Sequence, residues 1–193
     1  MSSSFLDKLT PVKLRFSEDH YCNVFALKKS TTLAQTLEHR RYSSLVLETE
    51  ARYSRNLQQP IGSFLIELKS KGDLFYQRFL NPYGDLNYCA FKIVDTWAFE
   101  SRGIYAFLVE NELKYIGRCR NSLRTRINQG YGRVSPKNCY LDGQATNCNI
   151  NSMICPVKEK VTLGVYPMSD IVAIEEMEKI LLKELNLPWN IQR

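Results

Sequence analysis

The sequence predicts an α+β fold, and three observations carry that prediction. Residues 103–119 form two apolar runs around a short polar break, the pattern of a β-hairpin. Residues 170–185 place apolar side chains at helical spacing behind a capping residue. Residues 1–100 mix helix-like and strand-like stretches, with no repeats and no low-complexity tracts. A chain of 193 residues can bury a sizeable core, as one large domain or two small ones.

In chain order, Thr31–Leu57 reads as a helical stretch of mixed charge. Ile61–Lys69 and Leu74–Leu80 read as strands joined by the turn Ser70-Lys71-Gly72-Asp73. Asn81-Pro82-Tyr83-Gly84-Asp85 is a second turn, leading into a strand over Asn87–Val94. This first region offers no catalytic constellation. Its Tyr76, Tyr83, Tyr88 and Arg78 suit nucleic-acid contact, but packing within strands and turns accounts for them as readily.

Ile104–Val109 is apolar at every position and is expected to be buried on both faces. Glu110-Asn111-Glu112 is the break, and the second strand resumes at Leu113. Tyr105 and Tyr115 then fall near each other on adjacent strands, a pairing that hairpin folding does not demand. Asn121 or Ser122 caps a short helix through Gln129 that ends at Gly130, with Leu123 and Ile127 on its buried face. Tyr131–Asn151 reads as a loop rich in Gly, Asn and Cys, and Val161–Val165 as a strand. Ser169 or Asp170 caps the last helix, which runs to Leu185 and is stopped by Pro188. Its expected buried face holds Ile171, Ile174, Leu181, Leu182 and Leu185, with Glu178 in the middle. A carboxylate placed there has to be paired or to bind a cation. An ion pair with Arg126 or another basic residue satisfies that need as well as a metal does.

The net charge is +6, and its distribution is uneven. Lys114, Arg118, Arg120, Arg124, Arg126, Arg133 and Lys137 follow one another with no acid between Lys114 and Lys137. A single-sign block suits a polyanion, although a merely basic soluble surface would look the same. No apolar run approaches the roughly 20 residues of a membrane helix, and the first residues lack the apolar core of a signal peptide. Cytoplasmic residence without a membrane partner is the expectation. The six cysteines are then expected to be reduced thiols. Zinc binding by Cys139, Cys148 and Cys155 would lack the usual ligand spacing, and burial as small apolar residues suits them better.

Taken in order, Gly103-Ile104-Tyr105, Tyr115-Ile116-Gly117, Leu123-Arg124-Thr125-Arg126-Ile127, Glu178 and Asn190 resemble the GIY-YIG nucleases, over the second half of the chain. The resemblance implies a nuclease core over residues 101–193, a small antiparallel sheet flanked by helices, with an insertion at 131–160. Residues 1–100 become an α+β extension and the candidate DNA-recognition part. The resemblance implies Tyr105 as proton acceptor and Tyr115 as the group orienting the water or sharing the proton. It puts Arg126 on the scissile phosphate and makes Glu178 the ligand of a single Mg²⁺, with Mn²⁺ as its substitute. Asn190 would fix the phosphate or the metal shell. The family has a His or Tyr four residues after the arginine; here that position is Gly130, and Tyr131 takes the role if the helix end unwinds by one residue. Lys114, Arg118, Arg120, Arg124, Arg133 and Lys137 are the candidate phosphate contacts, and Asn138, Gln144, Asn147 and Asn151 of the inserted loop the candidate readers of base edges. The expected function is metal-dependent cleavage of double-stranded DNA by a type II restriction enzyme, working as a homodimer because both strands must be cut. A homing or repair-type structure-specific nuclease and a catalytically inactive nucleic-acid-binding module are the alternatives.

Overall fold

A computed structural model describes residues 5–191, a mixed α+β arrangement with antiparallel sheets. The chain divides into two compact units: a helical unit of His20–Tyr88 with Val134–Ser152, and a sheet unit of the residues up to Asp19, Cys89–Arg133 and the residues from Met153.

In the helical unit, α1 (Leu33–Leu37) opens on a capping box. The Thr32 hydroxyl accepts from the Gln35 amide at 3.2 Å, and the Gln35 side chain accepts from the Thr32 amide at 2.9 Å. His39 is extended, and its Nδ1 accepts from the Arg41 amide at 3.3 Å, which starts a 3-10 turn over Arg40–Leu45 and then α2 (Val46–Tyr53). The single helix expected over Thr31–Leu57 is therefore broken, by a side chain that competes for backbone donors. Ile61–Lys69 is not a strand but belongs to α3 (Ile61–Ser70), which buries Ile61, Phe64, Leu65 and Leu68 at helical i, i+3, i+4, i+7 spacing. Its end is a Schellman motif, with Gly72 N donating to Lys69 O at 3.1 Å and Asp73 N to Leu68 O at 3.0 Å. Asp73 then caps a 3-10 turn, Leu74–Phe79, in place of the expected second strand. The expected loop is also structured, as a 3-10 turn at Pro136–Cys139 and as α4 (Ala145–Ile154). Phe25, Leu33, Tyr42, Phe64, Leu65, Phe79 and Tyr140 fill the core of this unit.

The strands are β1 (Thr10–Val12), β2 (Leu14–Tyr21), β3 (Tyr88–Ile93), β4 (Gly103–Val109), β5 (Glu112–Cys119) and β6 (Val161–Pro167). Four of them make an antiparallel sheet in the order β1-β6-β4-β5, and β2 pairs with β3. The central strand β4 is buried on both faces, as expected: Ile104, Tyr105, Ala106 and Phe107 are all 0% exposed. Ile104, Ala106 and Ile116 pack with Ile174 and Leu181 of α5 (Ile171–Glu184), while Tyr105, Phe107 and Tyr115 gather on the other face. Glu110 and Asn111 both have positive φ, 51° and 68°, and form a two-residue hairpin turn that leaves Glu112 in β5.

The register slips within the hairpin. Phe107 faces Tyr115 but Leu108 faces Leu113, so Lys114 is a bulged residue. The bulge resets the alternation, and Leu113 joins the helix-facing cluster while Tyr115 joins the aromatic face. Lys114 therefore falls outside the regular in-and-out alternation of a strand. Asp170 caps α5, its carboxylate accepting from the Val172 amide at 2.8 Å. The buried stripe of α5 differs in part from the expected one: Ile174, Leu181 and Leu185 pack as expected, Ile171 and Leu182 are exposed, and Met177 joins the cluster. Among the described residues, no helix is long and apolar enough to cross a membrane.

Candidate active site

The helix after the hairpin does not end at Gly130. It widens into a π-helix over Thr125–Tyr131, with the Gly132 amide donating to the Ile127 carbonyl five residues back at 2.6 Å. A π-turn stacks residue i+5 over residue i. Tyr131, one residue too late for an α-helical match, is thereby delivered to Arg126, whose guanidinium carbon lies 4.7 Å from the centre of the Tyr131 ring.

Arg126 and three phenols form one hydrogen-bonded cluster. Arg126 Nε donates to the Tyr105 hydroxyl at 2.9 Å, and Arg126 Nη2 to the Tyr131 hydroxyl at 2.6 Å. The Tyr131 hydroxyl also meets those of Tyr105 at 2.8 Å and Tyr115 at 2.9 Å. A hydroxyl has one proton to give and two lone pairs to receive. If Tyr105 donates to Tyr131 and Tyr131 to Tyr115, every one of these contacts is a proper hydrogen bond. The surplus proton then sits on Tyr115, at 5% exposed the only one of the three rings not at 0%.

The glycines of the hairpin make this packing possible. Gly117 faces Tyr105 across the strands, and a Cβ there would lie 2.4 Å from the Tyr105 hydroxyl oxygen and 2.6 Å from its Cζ. Gly103 has φ of 134°, and a Cβ there would lie 2.1 Å from the Tyr166 carbonyl oxygen. One residue gives room to the phenol, and the other to the neighbouring strand.

Glu178 and Asn190 serve the outer edge of β5. Glu178 Oε1 accepts from the Arg118 amide at 3.1 Å, and Oε2 accepts from Arg118 Nη1 at 2.7 Å. Asn190 is bonded at both ends of its carboxamide to one backbone unit, accepting from the Ile116 amide at 3.1 Å and donating to the Ile116 carbonyl at 2.8 Å. The Trp189 amide adds a bond to the Lys114 carbonyl at 3.1 Å. An exposed sheet edge is thus satisfied by the C-terminal segment. Asn190, expected to fix a phosphate or a metal shell, holds a strand instead. The partner of Glu178 is Arg118, not Arg126.

Arg118, Arg120, Arg126 and Glu178 line one cavity of about 390 Å³, together with Asn121, Ser122 and Thr125. In the sequence Asn121 and Ser122 read only as candidate helix caps, and Thr125 and Cys119, which also lines the cavity, carry no signal for a site. Arg118 and Arg120 are ion-paired with Glu178 and Glu175, and Arg126 has no carboxylate partner among the described residues, so a net positive charge remains to favour an anion there. Of the expected phosphate contacts, Lys114 pairs with Glu112 at 2.6 Å and Arg120 with Glu175 at 2.6 Å, Arg124 lies over the Phe99 ring at 5.0 Å, and Arg133 is exposed. The acid-free run is neutralised in part by carboxylates from elsewhere in the chain. Lys137 and Gln144 are exposed, in the helical unit. Asn138, Asn147 and Asn151 are buried, and this corrects their reading as base contacts: Asn138 Oδ1 accepts from the Ser135 amide at 2.9 Å, and the other two lie inside α4.

Burial drives the Tyr105 and Tyr131 phenols well above the usual tyrosine range, and the Arg126 charge opposes this without overcoming it. Tyr105, the proton acceptor that the resemblance implies, is thus a neutral phenol at ordinary pH and is not made more acidic by the nearby cations. Among the described residues, no group of three or more His, Cys, Asp or Glu side chains is placed to hold a metal. Glu178 is the single carboxylate of the cavity, which suits a cation that takes its other oxygens from a phosphate and from water. No protein-family model, curated protein or solved structure matches the chain.

Proposed function

We propose that this chain is an endonuclease of the GIY-YIG type that hydrolyses phosphodiester bonds in double-stranded DNA, as a type II restriction enzyme working in a homodimer. One observation carries the reading. Tyr105, Tyr115, Tyr131 and Arg126 converge in a single hydrogen-bonded cluster, and Arg126 shares a cationic cavity with Glu178 from a distant helix.

The cavity receives the scissile phosphate, and Arg126 turns to it the Nη1 protons, which bond no described residue, a charge-assisted pairing that grows stronger as charge develops on the phosphate oxygens. Glu178 would hold a Mg²⁺ there, which supplies charge neutralisation to the phosphate and to the leaving oxygen. The tyrosines handle the proton. A neutral buried phenol is a poor base alone, but it can accept a proton while passing on its own. As Tyr105 oxygen takes the proton of the attacking water, its own proton moves to Tyr131, that of Tyr131 to Tyr115, and that of Tyr115 to solvent. The net change is one proton moved from the water to bulk, with every phenol restored.

Incubation of the protein with plasmid, with and without Mg²⁺, tests the reading: discrete fragments are expected, and only with the metal. Tyr105→Phe should abolish cutting and leave DNA binding intact. Glu178→Gln keeps an acceptor for the Arg118 amide while removing the charge, and should lose cleavage without losing the fold. A gel shift with no cleavage under any of these metal conditions would turn the reading to a binding module.

A further inference from the structure

The helical unit holds a larger cavity, of about 790 Å³, which the nuclease reading does not use. Its wall carries three lysines, Lys28, Lys29 and Lys137, and one acid, Asp142. Lys28 is the unusual member. It is half-buried, its ammonium lies 4.3 Å from the centre of the Tyr140 ring, and among the described residues no oxygen accepts a hydrogen bond from it. Burial lowers its proton affinity, Asp142 works the other way, and Lys137 adds to the lowering. Asp142, whose Oδ1 accepts from the Tyr42 hydroxyl, is one carboxylate against three lysines and offsets the charge of the wall only in part. Lys29 and Lys137 are exposed and likewise form no ion pair with a described residue.

A cationic concavity with a half-buried ammonium that forms no ion pair among the described residues favours an anion. Gln35, Thr31 and Ser30 also line it and offer neutral donors and acceptors beside the cations. The volume exceeds what one phosphate fills and falls within the roughly 300–1,000 Å³ of small-molecule sites. We propose that this cavity binds a nucleotide, with Lys28 and Lys137 on its phosphate and the neutral polar wall against the remainder. The nucleotide is either free or part of a nucleic-acid strand, and the phosphate chemistry is the same in both cases. This site goes beyond the nuclease reading and does not depend on it.

Calorimetric titration of the full chain with deoxyadenosine 5′-monophosphate should show one saturable site, and deoxyadenosine without the phosphate should show none. Lys28→Gln and, separately, the exposed Lys137→Gln should each weaken binding roughly tenfold or more, as loss of a charge-assisted contact does. Lys28→Arg should restore most of it. Absence of saturable binding, or undiminished binding in both glutamine variants with unchanged circular dichroism, overturns the proposal. A short duplex added as competitor then identifies the source: displacement of the nucleotide upholds the site for a DNA strand, and persistence upholds it for a free nucleotide. Tyr105→Phe protein should bind the nucleotide as the unsubstituted chain does, so loss of one reading leaves the other standing.

Discussion

Substituting Gly117 with Ala separates two effects of opposite sign. Gly117 has no left-handed backbone, so adding a methyl costs the folded chain nothing in φ, and reducing the freedom of the unfolded chain alone would stabilise by about 0.4–1 kcal/mol. Against this, the new Cβ would sit 2.4 Å from the Tyr105 hydroxyl oxygen and 3.0 Å from Tyr115 Cε1. Ordinary contact begins near 3.4 Å, so the phenol must retreat by about 1 Å. That displacement would stretch the 2.9 Å bond from Arg126 beyond hydrogen-bonding range. Over-packing of this kind costs about 1–3 kcal/mol, and the net effect is destabilising. A chain of this size should lose several degrees of melting temperature, at about 2–4 °C per kcal/mol. Scanning calorimetry of the two proteins reads the sign directly. A melting temperature equal to or above that of the unsubstituted chain would refute the idea that Gly117 is there to admit Tyr105. Adding Tyr105→Phe to the alanine variant should recover part of the loss, because the nearest clashing atom is then gone.

Further outcomes follow from the same geometry. Tyr131→Phe removes the hub of the phenol cluster, and the relay reading expects a fall in cleavage of about 10²–10⁴-fold, with DNA affinity retained in a gel-shift titration. Asn190→Ala strips both hydrogen bonds from the fully buried Ile116 backbone and should cost about 1–3 kcal/mol in urea unfolding. Asn190→Asp, which keeps the acceptor and loses the donor, should fall between alanine and the native residue. Alkaline stability should decline steeply. Tyr105 and Tyr131 have folded proton affinities above those of an unfolded phenol, near 10. The unfolded chain therefore releases protons above about pH 10 that the folded chain keeps, so stability is whole below that pH and falls above it by about 1.4 kcal/mol per pH unit per group. Urea midpoints at pH 9, 10 and 11 measure that slope, which Tyr131→Phe should make shallower by one proton.

The hairpin and the last helix were legible because their signals are local: an apolar strand, a polar turn, an aspartate cap. Ile61–Ser70 was misread although its spacing was present, because Phe64-Leu65-Ile66 reads as a continuous apolar run, and such runs do not distinguish strand from helix. The Asn-rich stretch was misread for a different reason. Its polarity suggested a solvated loop, but Asn138 caps its own turn and Asn147 and Asn151 lie inside a buried helix. Two site-forming features had almost no local signal. The bulge at Lys114 is a property of strand pairing, and the π-turn showed in the sequence only as a tyrosine one residue out of place. The acid-free basic run misled because its counter-charges include Glu175 and Glu178, which arrive from α5.

Several of the residues that drew attention in the sequence have an architectural use here, beside the chemistry proposed for them. Gly117 makes room, and Glu178 and Asn190 finish the free edge of β5. Such uses would keep those residue types in place in a protein with no chemistry at all. The phenols and Arg126 are different. Phe107 lies in the same aromatic cluster and fills its space without a hydroxyl. Phenylalanine at 105 and 131 with an apolar residue at 126 would bury almost the same area and avoid the desolvation of two polar oxygens and a guanidinium, and buried polar clusters are often no more stable than apolar ones of the same shape. Packing alone therefore gives no reason for three linked hydroxyls, two of them bonded to an arginine. A proton that must be moved beside an anion does, and it is on this cluster, more than on the glutamate, that the catalytic reading rests.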